Sequence, residues 1–140
     1  MAMTMHVDIV SAETEIFSGT AEMLFAPLAT GEVGVLPRHA PLIARMKPGE
    51  VRVRTATEEF EFYVSGGLLE VQPHVVTVLA DTAARARDLD EAAALAAKQR
   101  AEEALKSRQS DIDYAKAMAE LAEAVAQLRA IRRLRDKTKR

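Results

Sequence analysis

The chain has no cysteine and no tryptophan among its 140 residues, and its aromatic content is only 4%. Without thiols there is no disulfide framework and no thiolate metal site, and nothing implies an oxidising compartment, so a cytoplasmic setting is expected. The opening MAMTMHVDIV lacks the basic leader and long apolar core of a secretory signal. No apolar run approaches the ~20 residues that a membrane-crossing helix needs. Any membrane association is therefore expected to run through other proteins.

The means for catalysis are also scarce. Only His6, His39 and His74 could serve as imidazole bases, and none stands in a metal-binding or nucleophile-activating pattern. Gly31-Glu32-Val33-Gly34 and Gly66-Gly67 lack the lysine and following helix of a phosphate loop, and read as turn glycines. A formal net charge of −2 and a few strand-borne aromatics offer no footprint for nucleic acid.

What is present divides the chain in two. All six glycines and all five prolines lie within the first 73 residues, whereas residues 83–130 hold seventeen alanines and neither breaker. The first part alternates with a period of two at Met5, Val7 and Ile9, at Val51 and Val53, at Phe60, Phe62 and Val64, and at Val76 and Val78. Turn signals separate these runs at Ser18-Gly19, Thr30-Gly31, Lys47-Pro48-Gly49, Ser65-Gly66-Gly67 and Gln72-Pro73. The pattern predicts an antiparallel β-sandwich of about eight to ten short strands, with Arg52, Arg54, Glu59 and Glu61 on edge strands facing water.

The second part predicts an α-helical hairpin. A first helix is expected from about Leu89 to Ser107, with Asp88 or Asp90 capping its start. A second is expected from Ile112 to about Lys137, opened by a capping box at Ser110 and Asp113 and carrying an apolar stripe at Leu121, Val125, Leu128, Ile131 and Leu134. Small faces at Ala93, Ala97, Ala101 and Ala104 permit close approach of the helices. Alanine buries little area, so the hairpin is expected to rearrange more readily than the sandwich. The domains are read as 1–87 and 88–140. Residues 129–140 carry seven basic residues against Asp136, a run that suits either a solvated tail or docking onto an acidic surface. The polar residues Glu32, Arg38 and His39 read either as solvated loop positions or as a binding edge at one end of the sandwich.

Two long segments are more specific. They are Gly31-Glu32-Val33-Gly34-Val35-Leu36-Pro37-Arg38-His39-Ala40-Pro41-Leu42-Ile43, and Phe62 through Pro73 (FYVSGGLLEVQP) followed by Val76 through Ala83 (VTVLADTA). Together they resemble the signature segments of the epsilon subunits of bacterial F-type ATP synthases, and the resemblance extends over essentially the whole chain. It implies a non-catalytic subunit of the F1 sector, part of the central stalk, whose sandwich binds the gamma subunit and the c-ring of Fo through Glu32, Arg38 and His39. It further implies that the helical hairpin extends toward the alpha and beta subunits and restrains ATP hydrolysis, with Arg129, Arg132, Arg133 and Arg135 meeting acidic segments of beta. The implied location is the cytoplasmic face of the bacterial inner membrane, peripherally through the complex.

The chain departs from the resemblance at one place. Many such subunits bind ATP near a motif of Ile or Leu, Asp, two variable residues, Arg and Ala, whereas this chain reads Leu89-Asp90-Glu91-Ala92-Ala93-Ala94. Ala93 stands where the arginine would be, and the loss of its guanidinium removes a principal polar contact. No cofactor is expected, and ATP is expected not to raise the thermal unfolding midpoint of the isolated chain in a titration; clear protection would reverse that expectation.

Overall fold

Period-two alternation becomes ten strands in the computed structural model, which describes residues 3–106 and 111–138. In chain order these are β1 (Met5–Ser11), β2 (Glu15–Ala21), β3 (Met23–Leu28), β4 (Gly31–Val35), β5 (Leu42–Met46), β6 (Gly49–Arg54), β7 (Glu59–Val64), β8 (Gly67–Val71), β9 (Val75–Ala80) and β10 (Ala83–Arg85). They hydrogen-bond in the order β10-β7-β6-β3-β5-β8-β9-β1-β2, with β4 added on β3. β3 pairs with β6 through Met23, Leu24 and Phe25 but meets β5 only at Leu28 and Met46. The sheet therefore folds over at β3 and encloses its apolar face as a β-sandwich.

The inward positions match the sequence pattern. Met5, Val7 and Ile9, Val51 and Val53, Phe62 and Val64, and Val76 and Val78 are all buried in one core with Leu24, Val35 and Leu69. Phe17, Phe60 and Phe62 pack as an aromatic cluster with centroids 5.3 to 6.5 Å apart. Burial of a side chain such as Phe62 contributes about 1.5–3 kcal/mol relative to exposure, so this core dominates the stability of the unit.

Two features differ from the sequence expectation. β1 and β9 pair in parallel, from His6↔Val75 to Ser11↔Ala80. Parallel neighbours need a long crossover, and the seven intervening strands supply it. Arg52, Arg54, Glu59 and Glu61 lie on interior strands, not edges: β6 sits between β7 and β3, and β7 between β10 and β6. Their charges are matched across the ladder as Arg52↔Glu61 and Arg54↔Glu59, which lets an interior strand carry an alternate row of charge.

Ala86 begins a second unit. A single 3-10 turn at Ala86–Asp88 leads to α1 (Glu91–Lys106), and α2 spans Asp111–Thr138. Asp90 caps α1, its Oδ1 accepting from the Ala92 and Ala93 amides at 3.0 and 3.2 Å. The capping box expected at Ser110 and Asp113 has its first member outside the described residues. Glu91 at the start of α1 pairs with Arg135 near the end of α2, which makes the helices antiparallel. Ala94 and Ala101 are buried on α1, and Ala117, Ala124 and Leu128 on α2. Ala94 and Ala101, and Ala117 and Ala124, are each seven apart, the repeat of a packing seam over two turns, and Leu128 follows four after Ala124. Of the alanines expected at the α1 contact, Ala101 is buried and Ala97 half-buried, but Ala93 and Ala104 are exposed, because a step of seven from Ala94 follows the partner helix better than repeated steps of four.

Gly67 is the most crowded of the glycines in the sandwich. Its φ is +130°, and a Cβ there would lie 2.1 Å from the Leu79 carbonyl oxygen. Substitution Gly67→Ala is expected to destabilise the chain by more than about 3 kcal/mol in urea unfolding, because backbone strain and overlap with backbone act together.

Candidate functional site

The outward faces of the strands carry the candidate surfaces. Along β8 and β9, Leu68 pairs with Leu79, and Leu79 pairs in turn with Val10 of β1. Leu69 and Val78, one position along, point into the core. Leu68 and Leu79 therefore point outward, and they are 43% and 45% exposed. Arg45 flanks this row on β5. With Val10, Ser11, Ala12, Gly67, Ala80 and Asp81, the two leucines line a shallow depression of about 340 Å³. Ile43 is exposed on the same face. An apolar row set among polar residues is a candidate interaction surface.

The next row on this face begins with Ile43 on β5 and is polar beyond it: Glu70, Thr77, Asp8 and Ser18 follow one another across β8, β9, β1 and β2. Here the Ser18 hydroxyl donates to Asp8 Oδ1 at 2.7 Å and His6 Nε2 donates to the same oxygen at 2.9 Å. The Ser18 bond, followed by the bond and charge of His6, holds the Asp8 carboxyl below the usual aspartate range, against partial burial, which acts the other way. A serine, a histidine and an aspartate meet, but the serine proton is directed to the carboxylate and not to the imidazole. That is a structural knot on a flat face, not the relay of a nucleophilic triad.

Glu32, Arg38 and His39 do not gather at one end of the sandwich. Glu32 follows the β3–β4 turn, opposite Pro27, and Arg52 Nη2 donates to its Oε1 at 3.0 Å. Arg38 and His39 follow the other end of β4. There Arg38 adopts a left-handed φ of 67°, and its amide donates to the Pro73 carbonyl at 2.8 Å. His39 Nδ1 donates to the Ala40 carbonyl at 2.6 Å. The cause of the separation is β4 itself, a five-residue strand at about 3.3 Å per residue.

The four arginines of α2 are also divided. Arg129, Arg132 and Arg133 are exposed and spaced by three and four, so they share one helix face. Arg135 lies seven residues after the buried Leu128 and four after Ile131, on the seam side, where it pairs with Glu91. Leu89 and Asp90 form the turn and cap before α1, and the Ala93 amide donates to that cap. Among the described residues, no group of His, Cys, Asp and Glu gathers to hold a metal ion, and no helix is long and apolar enough to cross a membrane.

The chain is thus a two-domain protein, a β-sandwich followed by an antiparallel helical pair. Residues 4–86 match the family described as ATP synthase, Delta/Epsilon chain, beta-sandwich domain, and residues 87–132 match its long alpha-helix domain. The chain belongs to the ATP synthase delta/epsilon chain family. It is 75% identical to the ATP synthase epsilon chain of Nitrosococcus oceani over 98% of this chain and 99% of that one. With the epsilon chain of Thioalkalivibrio sulfidiphilus the identity is 65%, over 99% and 100%. Its fold is similar to a chain in the cryo-EM structure of Euglena gracilis mitochondrial ATP synthase, OSCP/F1/c-ring, with a TM-score of 0.83 at 18% identity, covering 91% of this chain and 81% of that one.

The sequence reading missed the outward apolar row. Its signal is there in Leu68-Leu69 and Val78-Leu79, consecutive apolar residues that make a strand apolar on both faces.

Because the native carboxyl of Asp8 titrates below its unfolded value, its contribution to stability is complete above the ordinary aspartate range and is lost as pH falls through the lowered native value. Asp8→Asn is expected to cost about 1 kcal/mol at neutral pH. The difference from wild type should close in acid, as read by urea unfolding across the acid range.

Proposed function

We propose that this chain is a non-catalytic central-stalk subunit of the F1 sector of a proton-translocating ATP synthase. In this reading it couples proton transport to ATP synthesis and restrains ATP hydrolysis through its C-terminal helices. Its partners are the gamma subunit and the c-ring at the sandwich, and the alpha and beta subunits at the hairpin. The complex holds it at the cytoplasmic face of the inner membrane, and it has no active site of its own. The observation that carries the reading is the outward row of Leu68, Leu79 and Val10 on a rigid sheet face. Covering each half-exposed leucine on association supplies on the order of 1 kcal/mol, and the rigid sheet loses little freedom when it docks.

The sandwich is the anchor and the hairpin the brake. Arg129, Arg132 and Arg133 form the basic face that meets acidic segments of beta, where charge-assisted hydrogen bonds exceed neutral ones. Arg135 serves first to close the hairpin on Glu91, and becomes available to an acidic partner once the helices separate. ATP binding is weak or absent in this reading, since Ala93 brings no guanidinium and Asp90 is engaged as a cap.

The test is the ATPase rate of an F1 head depleted of its own epsilon subunit, titrated with three forms of the chain. The full chain is expected to inhibit saturably. A truncation ending at Arg87 should bind without inhibiting, and full-length Leu79→Asp should need at least about ten-fold more protein to reach the same inhibition. Absence of binding and inhibition by the full chain, with a head from the matching source, would overturn the assignment.

A further inference from the structure

Glu32 is held in place by an assembly that spans three strands. Gly34 on β4, Phe25 on β3 and Arg52 on β6 lie side by side, since Phe25 pairs with Gly34 on one flank and with Arg52 on the other. The Arg52 guanidinium stacks 4.3 Å from the Phe25 ring centroid, and Arg54 approaches the same ring at 5.7 Å. From this perch Arg52 Nη2 donates to Glu32 Oε1 at 3.0 Å. The Phe25 ring also lies over Gly34. A Cβ at that position would sit 3.3 Å from Phe25 Cε1 and 3.5 Å from the Met23 methyl, tighter than the ring would accept without moving.

The exposures of the pair are unequal. The Arg52 side chain is 21% exposed and that of Glu32 is 50% exposed. The surface thus presents the acid and keeps the guanidinium beneath it. A planar guanidinium lies flat on a ring while its edge N–H groups donate to a carboxylate, a fixed geometry that a tetrahedral ammonium lacks.

We propose that Arg52, braced on the Phe25 ring, is a positioning residue that presents the Glu32 carboxylate to a hydrogen-bond-donating partner, and that the missing side chain at Gly34 leaves Phe25 the room to brace it. That Glu32 has a partner at all rests on the docking of the sandwich onto gamma and the c-ring under Proposed function; the positioning by Arg52 stands on the geometry alone. An acid already fixed by its own scaffold gives up less side-chain freedom on binding, so its contact is stronger and its direction is set.

The two layers are tested separately. In the full-length chain, side-chain NMR order of the Glu32 methylenes is expected to fall in Arg52→Gln and Phe25→Leu, and also in Arg52→Lys, while the backbone spectrum keeps its dispersion. Unchanged order in all three variants overturns the positioning role. Binding is then measured to F1Fo particles stripped of this subunit. Glu32→Gln and Arg52→Gln are each expected to weaken it about five-fold or more, and the double variant should be no weaker than Glu32→Gln alone. Equal losses from Arg52→Gln with and without the Glu32 carboxylate overturn the proposal, since a general structural role would act in both backgrounds. Loss of order together with wild-type binding by Glu32→Gln would overturn the partner contact and leave the brace standing.

Discussion

The chain enters β8 through Gly67, whose backbone at a φ of +130° comes so close to the Leu79 carbonyl that no side chain fits between them. This approach locks β8 to β9 in the register Leu68↔Leu79 and Leu69↔Val78. The corner is stitched further by Ser65 and Thr82, whose hydroxyls lie 2.7 Å apart, and by the Asp81 amide donating to the Gly66 carbonyl at 3.0 Å. Because side chains alternate along a strand, a slip by one residue would exchange Leu68 for Leu69 and invert the face. The outward apolar row, and with it the surface assigned to docking, depends on this backbone contact. Through β9 the same register passes to β1, where it sets Val10 beside Leu79 and Asp8 beside Thr77.

The two units are held by forces of different strength. The sandwich buries Phe62, Ile9, Leu24, Leu69 and a set of valines completely, around a three-ring aromatic cluster. The hairpin buries mostly alanines, with Leu128 as its one large fully packed side chain among the described residues. An alanine removes little apolar surface from water, and an exposed ion pair such as Glu91–Arg135 adds at most about 1 kcal/mol. In the proposed function, a firmly packed sandwich and a lightly held helical pair suit an anchor and a switch, because a switch needs states separated by only a few kcal/mol.

Charge is distributed to match. Arg52 and Arg54 of β6 face Glu61 and Glu59 of β7 across the ladder, and Arg52 also reaches Glu32 over an aromatic ring. Salt bridges at such half-exposed positions add little to stability. Their effect is to fix direction: a carboxylate is held at a chosen place on the sheet, and three arginines are aligned along one face of α2 while the fourth pairs with Glu91.

Strand alternation, turn glycines and an alanine-rich segment without breakers determined the sandwich, the hairpin and the division between them, since these depend on periodicities of two and 3.6 and on local backbone preference. A cap at Asp88 or Asp90 was legible for the same reason, and the fold placed it at Asp90. Tertiary structure alone decided the rest. Glu32 stands apart from Arg38 and His39 because β4 runs between them. Arg135 turns to Glu91 because a step of seven from Leu128 returns to the seam. The charged rows of β6 and β7 lie inside the sheet because strand order is set by long-range pairing. A linear pattern tells which face of an element a residue occupies, but which elements become neighbours is settled by packing between residues far apart in the chain, and that is what brought Arg52, Phe25, Gly34 and Glu32 together.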